Sequence, residues 1–374
     1  RFSLRALHVN HGISANAPRW AQFCAECCGQ LNIPLSIEQV SIGRHRAQGL
    51  EGAARRARYE AYAGADADFI ALAHHRDDQA ETLLIQLLRG AGPQGLAGMP
   101  VQRPLQGSSA VIIRPLLAIA RRDIEAWARG RGLQWVEDES NDDIARQRNF
   151  IRHRVLPLIE RQFPAARATA ARTAAHLAEA GALLGELARL DLAVLGATTE
   201  IEVSGLRRLG AMRAKNALRM LLQMRAVAAP SAAQLDELFR QLVEAGEDCR
   251  VLIQVGGWEI RRYRGCVFFD RAQLPLPPSF RETWRGENRL PLLALRGVLA
   301  FKPEEGRGLS VRKLQAAEVT VRLRAGGERL RPDAQRPRRA LKKLLQDRGI
   351  PPWRRACLPL IYCGEDLVSV PGIG

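Results

Sequence analysis

The first 131 residues alternate short apolar stretches with amphipathic helical ones, and this alternation narrows the fold more than any other feature. Residues 1–10 alternate and then turn apolar, ending in His11-Gly12, which reads as a strand with a loop at its carboxyl end. Trp20, Phe23, Cys27 and Leu31 recur at helical spacing, 33–42 reads as a second strand, and 50–63 as a helix carrying Glu51, Arg55, Arg58 and Tyr59. A short buried strand is predicted at 68–73, a helix at 78–89, a Gly/Pro loop at 90–98, a strand at 111–113 and a helix at 122–131. Strands alternating with helices build parallel βαβ units. The predicted fold class is therefore α/β, a parallel sheet with helices on both faces.

A chain of 374 residues exceeds what one core usually organises. After Pro164 the texture changes, and 165–245 are rich in Ala, Leu and Arg with helical periodicity. Strand-like stretches return at 251–255 and 266–269, a Pro-rich connector spans 274–279, and from Val319 a strand, a Gly326-Gly327 turn, a basic helix and a closing strand pair follow. The expected division is 1–160 α/β, 161–270 mainly helical, 271–317 connecting, and 318–374 a small basic α/β domain. Arg1 falls inside a strand-like segment, so the start of the first domain is expected to lie upstream.

Charge points to a class of partner. With 56 Lys+Arg against 39 Asp+Glu the chain carries +17 and a pI near 10.6. Such a field concentrates polyanions, nucleic acid above all, although a genome that favours arginine would also raise the pI. Between Val321 and Arg355 twelve Arg or Lys meet three acidic residues, a net +9. There the helix 338–345 sets bases opposite leucines, and Pro351-Pro352-Trp353-Arg354-Arg355 places an aromatic among charges; this unit, Lys342 and Lys343 included, reads as a nucleic-acid backbone surface. Seven scattered cysteines suit reduced thiols in the cytoplasm better than a disulfide framework. Cys24, Cys27 and Cys28 contain a C-x-x-C with no second pair at zinc spacing, so they read as helix residues. No uncharged apolar run reaches the roughly 18 residues of a membrane span.

Two polar clusters could carry chemistry. Ala73-His74-His75-Arg76-Asp77-Asp78-Gln79-Ala80-Glu81-Thr82 lies where a strand hands over to a helix, the edge at which open α/β sheets bind ligands. Asp78, Glu81 and Thr82 share one helical face, yet an N-cap Asp with Glu three residues on is also a capping box, and both readings stand. Glu137-Asp138-Glu139-Ser140-Asn141-Asp142-Asp143 precedes a basic run holding Arg148, Asn149 and Arg152; it is either a dipole-matched solvated helix or a phosphate-gripping face.

These stretches, in order, resemble the tRNA(Ile)-lysidine synthetases, a family of the PP-loop ATP pyrophosphatase superfamily. The resemblance is carried by His8–Gly12, Glu51–Tyr59, His74–Thr82, Arg89–Leu96, Asp138–Asn141 with Arg148-Asn149, and in the tail by Gly326–Pro332, Leu341–Leu345 and Gly349–Trp353. It implies a PP-loop-like nucleotide domain over 1–160, a tRNA-contacting second domain and a tRNA-binding C-terminal one. It implies ATP and Mg²⁺, activation of the C2 oxygen of the wobble cytidine of a CAU-anticodon tRNA(Ile), and displacement of AMP by free L-lysine. Asp78, Glu81 and Arg148 are then the expected catalytic residues, Asp78 also the metal ligand. His11, Gly12 and His75 are expected near the nucleotide, and Arg55, Arg58, Arg152, Lys342 and Lys343 on the tRNA. A cytoplasmic enzyme with no membrane contact follows, self-association as a homodimer being left open. The family's phosphate loop, Ser-Gly-Gly-x-Asp-Ser, has no copy among these residues, so this stretch alone is expected to be inactive. The alternatives are a tRNA-cytidine thiolase of the same superfamily, which would need Cys24–Cys28 for sulfur chemistry, and a non-catalytic RNA-binding derivative.

Overall fold

The computed structural model describes residues 2–41, 49–196, 199–246, 251–272, 276–277, 279–306, 308–333 and 335–374. The chain divides into two compact units, Arg1–Leu184 and Gly185–Gly374.

In the first unit Ala6–Asn10 pairs in parallel with Leu35–Gln39, and the helix Ala17–Gln30 makes the crossover. Phe69–Ala71 runs parallel to Val111–Ile113, whose other neighbour, Gln102–Pro104, is antiparallel. Among the described residues these are two separate small sheets. The strand predicted as buried at 68–73 is paired over three residues, and Phe69 is 55% exposed. The reason is that it has one hydrogen-bonded neighbour and lies at an edge among the described residues. The helix Gly49–Gly64 buries Ala53, Ala54, Ala57 and Ala61, small residues that let it approach closely. Its Tyr59 and Tyr62 pack on Ile70, Leu72, Leu105 and Ile112.

The helix predicted from Asp78 starts earlier, at Arg76, and runs to Leu88. Its N-cap is His75, not Asp78. The His75 N–H donates to Asp78 Oδ2 at 2.9 Å while the Asp78 N–H donates to His75 Nδ1 at 3.4 Å, so the capping box is His75/Asp78. Glu81 is thereby moved a turn into the helix and cannot be a cap. Further on, Gln147–Phe150, a single π-turn over Ile151–Val155, and Leu156–Gln162 form one continuous helical path.

In the second unit the segment expected to be mainly helical also carries a sheet. Glu200–Glu202, Cys266–Arg271, Trp258–Tyr263 and Leu252–Val255 are antiparallel neighbours in that order. The helices Val203–Met224 and Ala232–Phe239 close over it around Leu206, Leu218, Leu221, Ile260 and Phe269. The expected connector likewise contains structure: Arg289–Leu292 and Gly297–Ala300 form a hairpin, and Arg281–Trp284 is the edge strand of the C-terminal sheet. That sheet continues through Val319–Arg322, Leu360–Cys363 and Asp366–Ser369, all antiparallel. The basic helix covers Leu341–Asp347, with Arg339–Ala340 in a short strand beside Arg329–Leu330.

Candidate active site

The strand-to-helix handover at 72–76 and the loop 138–146 face one another across a cavity of about 900 Å³ in the first unit. That is within the range of sites for ligands the size of a nucleotide. Its walls include His11 and Gly12 after the first strand, Arg55 and Arg58 from the helix Gly49–Gly64, His74 and Asp78 from the handover, and Arg148 and Arg152 from the helix behind the loop. Most of the residues picked out in the sequence are thus brought together. Three groups are not: His75 is occupied as a cap, Glu81 lies behind the wall, and Lys342 and Lys343 belong to the second unit.

Glu81 organises the wall from behind. It is wholly buried, accepting from Arg148 Nε at 2.8 Å, from Arg152 Nε at 2.6 Å and from Arg152 Nη2 at 3.0 Å. Arg152 also donates to Asp78 Oδ1 at 3.3 Å, and Arg148 donates to the Asp78 carbonyl and to Thr82 Oγ1, each at 3.2 Å. Burial works against the Arg152 charge, but the Glu81 and Asp78 carboxylates outweigh it and hold its pKa above the ordinary value. The two guanidiniums are fixed in place by these hydrogen bonds. The neighbouring acid Asp77 faces elsewhere and pairs with Arg167 at 3.6 Å, which separates a structural from a cavity-facing carboxylate in Asp77-Asp78.

The opposite wall is cationic. Arg58 donates to His11 Nε2 at 3.4 Å and Arg55 to the Tyr59 hydroxyl at 3.2 Å; neither meets a carboxylate among the described residues. Burial, then Arg58 and His8, lower the His11 pKa below the ordinary imidazole value. On the loop, Asp138 caps its own turn through the Ser140 N–H, and Glu139 accepts from Asn16 Nδ2 at 2.9 Å. Asn149, buried, donates to the Ser140 and Asp143 carbonyls at 2.9 and 3.0 Å and so holds the acidic loop against the helix. Among the described residues no three His, Cys, Asp or Glu side chains are grouped to hold a metal ion.

His74, not His75, is the histidine that faces the cavity. In extended backbone successive side chains point opposite ways, so only one of the pair could do so. The signal was present in the His-His doublet, but without the cap geometry it did not say which. Burial is the main cause that lowers the His74 pKa to about 4, Asp78 opposing and Arg114, Arg148 and Arg55 adding to it. The unfolded chain therefore binds more protons between pH about 4 and 6.5, and this residue's contribution to stability is complete above 6.5 and lost as pH falls toward 4. The expected NMR result is a His74 ring that does not titrate between about pH 8 and 5.5, while a solvated imidazole moves near 6.5. A midpoint at the ordinary value would mean a ring open to water.

Comparison with known proteins matches this layout. Residues 1–159 match a family model described as a PP-loop domain, 202–268 the TilS substrate binding domain, and 319–374 the TilS substrate C-terminal domain. The tRNA(Ile)-lysidine synthase of Nitrosomonas europaea is 44% identical over all of this chain and 82% of its own length. That of Coxiella burnetii is 36% identical over 99% of this chain and 82% of its own. A solved U34-tRNA thiolase from Methanococcus maripaludis is similar over 47% of this chain and 63% of that one, at 18% identity and a TM-score of 0.39.

Proposed function

Because the chain belongs to the tRNA(Ile)-lysidine synthase family, we propose that it is an ATP-dependent carbon–nitrogen ligase acting in the cytoplasm, joining free L-lysine to C2 of the wobble cytidine of a CAU-anticodon tRNA(Ile). The supporting observation is the cavity itself. Arg55, Arg58, Arg148 and Arg152 offer a polyphosphate site, and Asp78 offers a carboxylate for an ammonium in the same space. The two substrate-domain matches outside the nucleotide domain favour this reading over a thiolase.

In the first step the cytidine O2 attacks the α-phosphorus of ATP, the bond to the bridging oxygen breaks and pyrophosphate leaves. Arg148 and Arg152, already immobilised by Glu81, meet the charge that develops without having to reorganise. In the second, the lysine ε-amine attacks C2, the C2–O bond breaks and AMP departs with the oxygen. Asp78 holds the lysine side chain, and the proton that the amine sheds leaves to solvent, because burial lowers the His74 pKa to about 4 and makes that ring a weak acceptor. Asp78, the carboxylate that faces the cavity, is the residue that would hold a Mg²⁺ arriving with ATP. When bound it would neutralise phosphate charge.

The test is stoichiometry. The full-length protein, given ATP, lysine and a CAU-anticodon tRNA(Ile) transcript, is expected to release AMP and pyrophosphate in equal amounts with each lysine incorporated. Sulfur incorporation in place of lysine would establish the thiolase, and tRNA binding without AMP release the non-catalytic alternative.

A further inference from the structure

The stretch Pro352-Trp353-Arg354-Arg355, which reads from sequence as a nucleic-acid surface, is turned inward. Arg354 donates to Asp270 from Nη2 at 2.6 Å and from Nε at 3.0 Å, and Trp353 Nε1 donates to the other Asp270 oxygen at 2.9 Å. The Trp353 ring stands edge-on to Tyr263 and Phe268, with centroids 6.0 and 5.7 Å away. Arg355, buried, donates to the Tyr263 hydroxyl at 3.0 Å, and Arg264 reaches the Gln346 carbonyl at 2.9 Å. One side of this joint is the sheet of the segment matched as a substrate binding domain; the other is the segment matched as a substrate C-terminal domain. A second feature shows that the sheet is built to receive it. Asp270 lies directly across from Glu259 in the strand register, an arrangement of like charges that disfavours pairing. Arg261 answers Glu259 from within the sheet, at 2.9 Å, whereas Asp270 takes its guanidinium from the C-terminal domain.

We propose that this joint makes the two substrate domains one rigid gauge for tRNA, with Asp270 the positioning residue that closes it. The proposal rests on the family reading of both domains as tRNA-contacting. Two contacts on a rigid body act as linked binding events, and a hinge between them lowers the effective concentration of the second. A ligand long enough to touch both domains then senses the joint, and a short one does not.

The experiment is direct binding of full-length tRNA(Ile) and of its isolated anticodon stem-loop to the full-length protein, with lysine incorporation followed in parallel. Asp270→Asn is expected to weaken full-length tRNA binding roughly tenfold, to leave the stem-loop unchanged, and to raise KM for tRNA with kcat retained. Trp353→Phe, which keeps an aromatic side chain but loses the indole N–H bond to Asp270, is expected to fall between. Equal weakening on both RNAs, or none on full-length tRNA, overturns the proposal. A wild-type protein that binds both RNAs but incorporates no lysine would defeat the proposed activity and leave the joint intact.

Discussion

Glu81→Gln is expected to abolish most lysine incorporation and to lower the melting temperature at the same time. The carboxylate is wholly buried and is the shared acceptor for Arg148 and Arg152. An amide keeps the shape but loses the charge, and its NH₂ would face guanidinium donors. Two partly buried cations are left with Asp78 as the one carboxylate within 4 Å of them among the described residues. Breaking a buried ion pair from one side costs about 3–5 kcal/mol, because the remaining charge is stranded. The chemical effect is larger than the thermal one. Guanidiniums released from Glu81 no longer meet the developing phosphate charge in a fixed position, and loss of such a preorganised group typically reduces turnover by roughly 10²–10³-fold. Single-turnover lysine incorporation and a thermal melt separate the two roles. A protein that melts lower but reacts at the wild-type rate while folded would make Glu81 a structural residue alone. Glu81→Asp, which keeps the charge, should recover part of the rate.

That role could not be read from the chain, because the partners of Glu81 lie 67 and 71 residues away. Sequence periodicity reports one turn of helix, and within that turn an acid three residues after an Asp is a cap as readily as a catalyst. An extended His75 moves the cap three positions upstream, which removes the capping reading of Glu81. Other features were more legible. The alternation of strands and helices is local, and so are the helix at 17–30 and the Leu341, Leu344, Leu345 face, all of which stand where their spacing put them. Glu200–Glu202 was hidden for the opposite reason. It is three residues long, set among Ala- and Leu-rich helices, and becomes a strand by pairing with Cys266–Phe268 more than sixty residues on. Trp353 and Arg354 were misread on the same ground: composition cannot distinguish a base that meets phosphate from one that meets Asp270.

Replacing Lys342 and Lys343 together with Ala is expected to weaken tRNA binding and to flatten its salt dependence. The tail's net charge overstates the surface it offers. Of the twelve bases between Val321 and Arg355, six are paired with carboxylates among the described residues: Arg322, Arg324, Arg336, Arg338, Arg339 and Arg354. Lys342 and Lys343 are different. They are exposed on a helix whose other face is buried through Leu341, Leu344 and Leu345, and neither makes an ion pair among the described residues. The leucines fix the helix on the domain, so the lysines present their charge outward in a set orientation. Each phosphate neutralised releases counterions and adds roughly 0.7–0.9 to the slope of log affinity against log salt. If both lysines meet phosphate, the double substitution should flatten the slope by about 1.4–1.8 and cost roughly tenfold in affinity at moderate salt. Choice of the wobble base should not change, since backbone contacts position the RNA and base contacts specify it. The same replacement made at the paired bases Arg338 and Arg339 should move the slope less, because those charges already have Asp366 and Asp347. A salt titration of the three proteins decides the matter. Lost affinity at an unchanged slope would point to a disturbed fold, and unchanged affinity would leave Lys342 and Lys343 as solvated side chains.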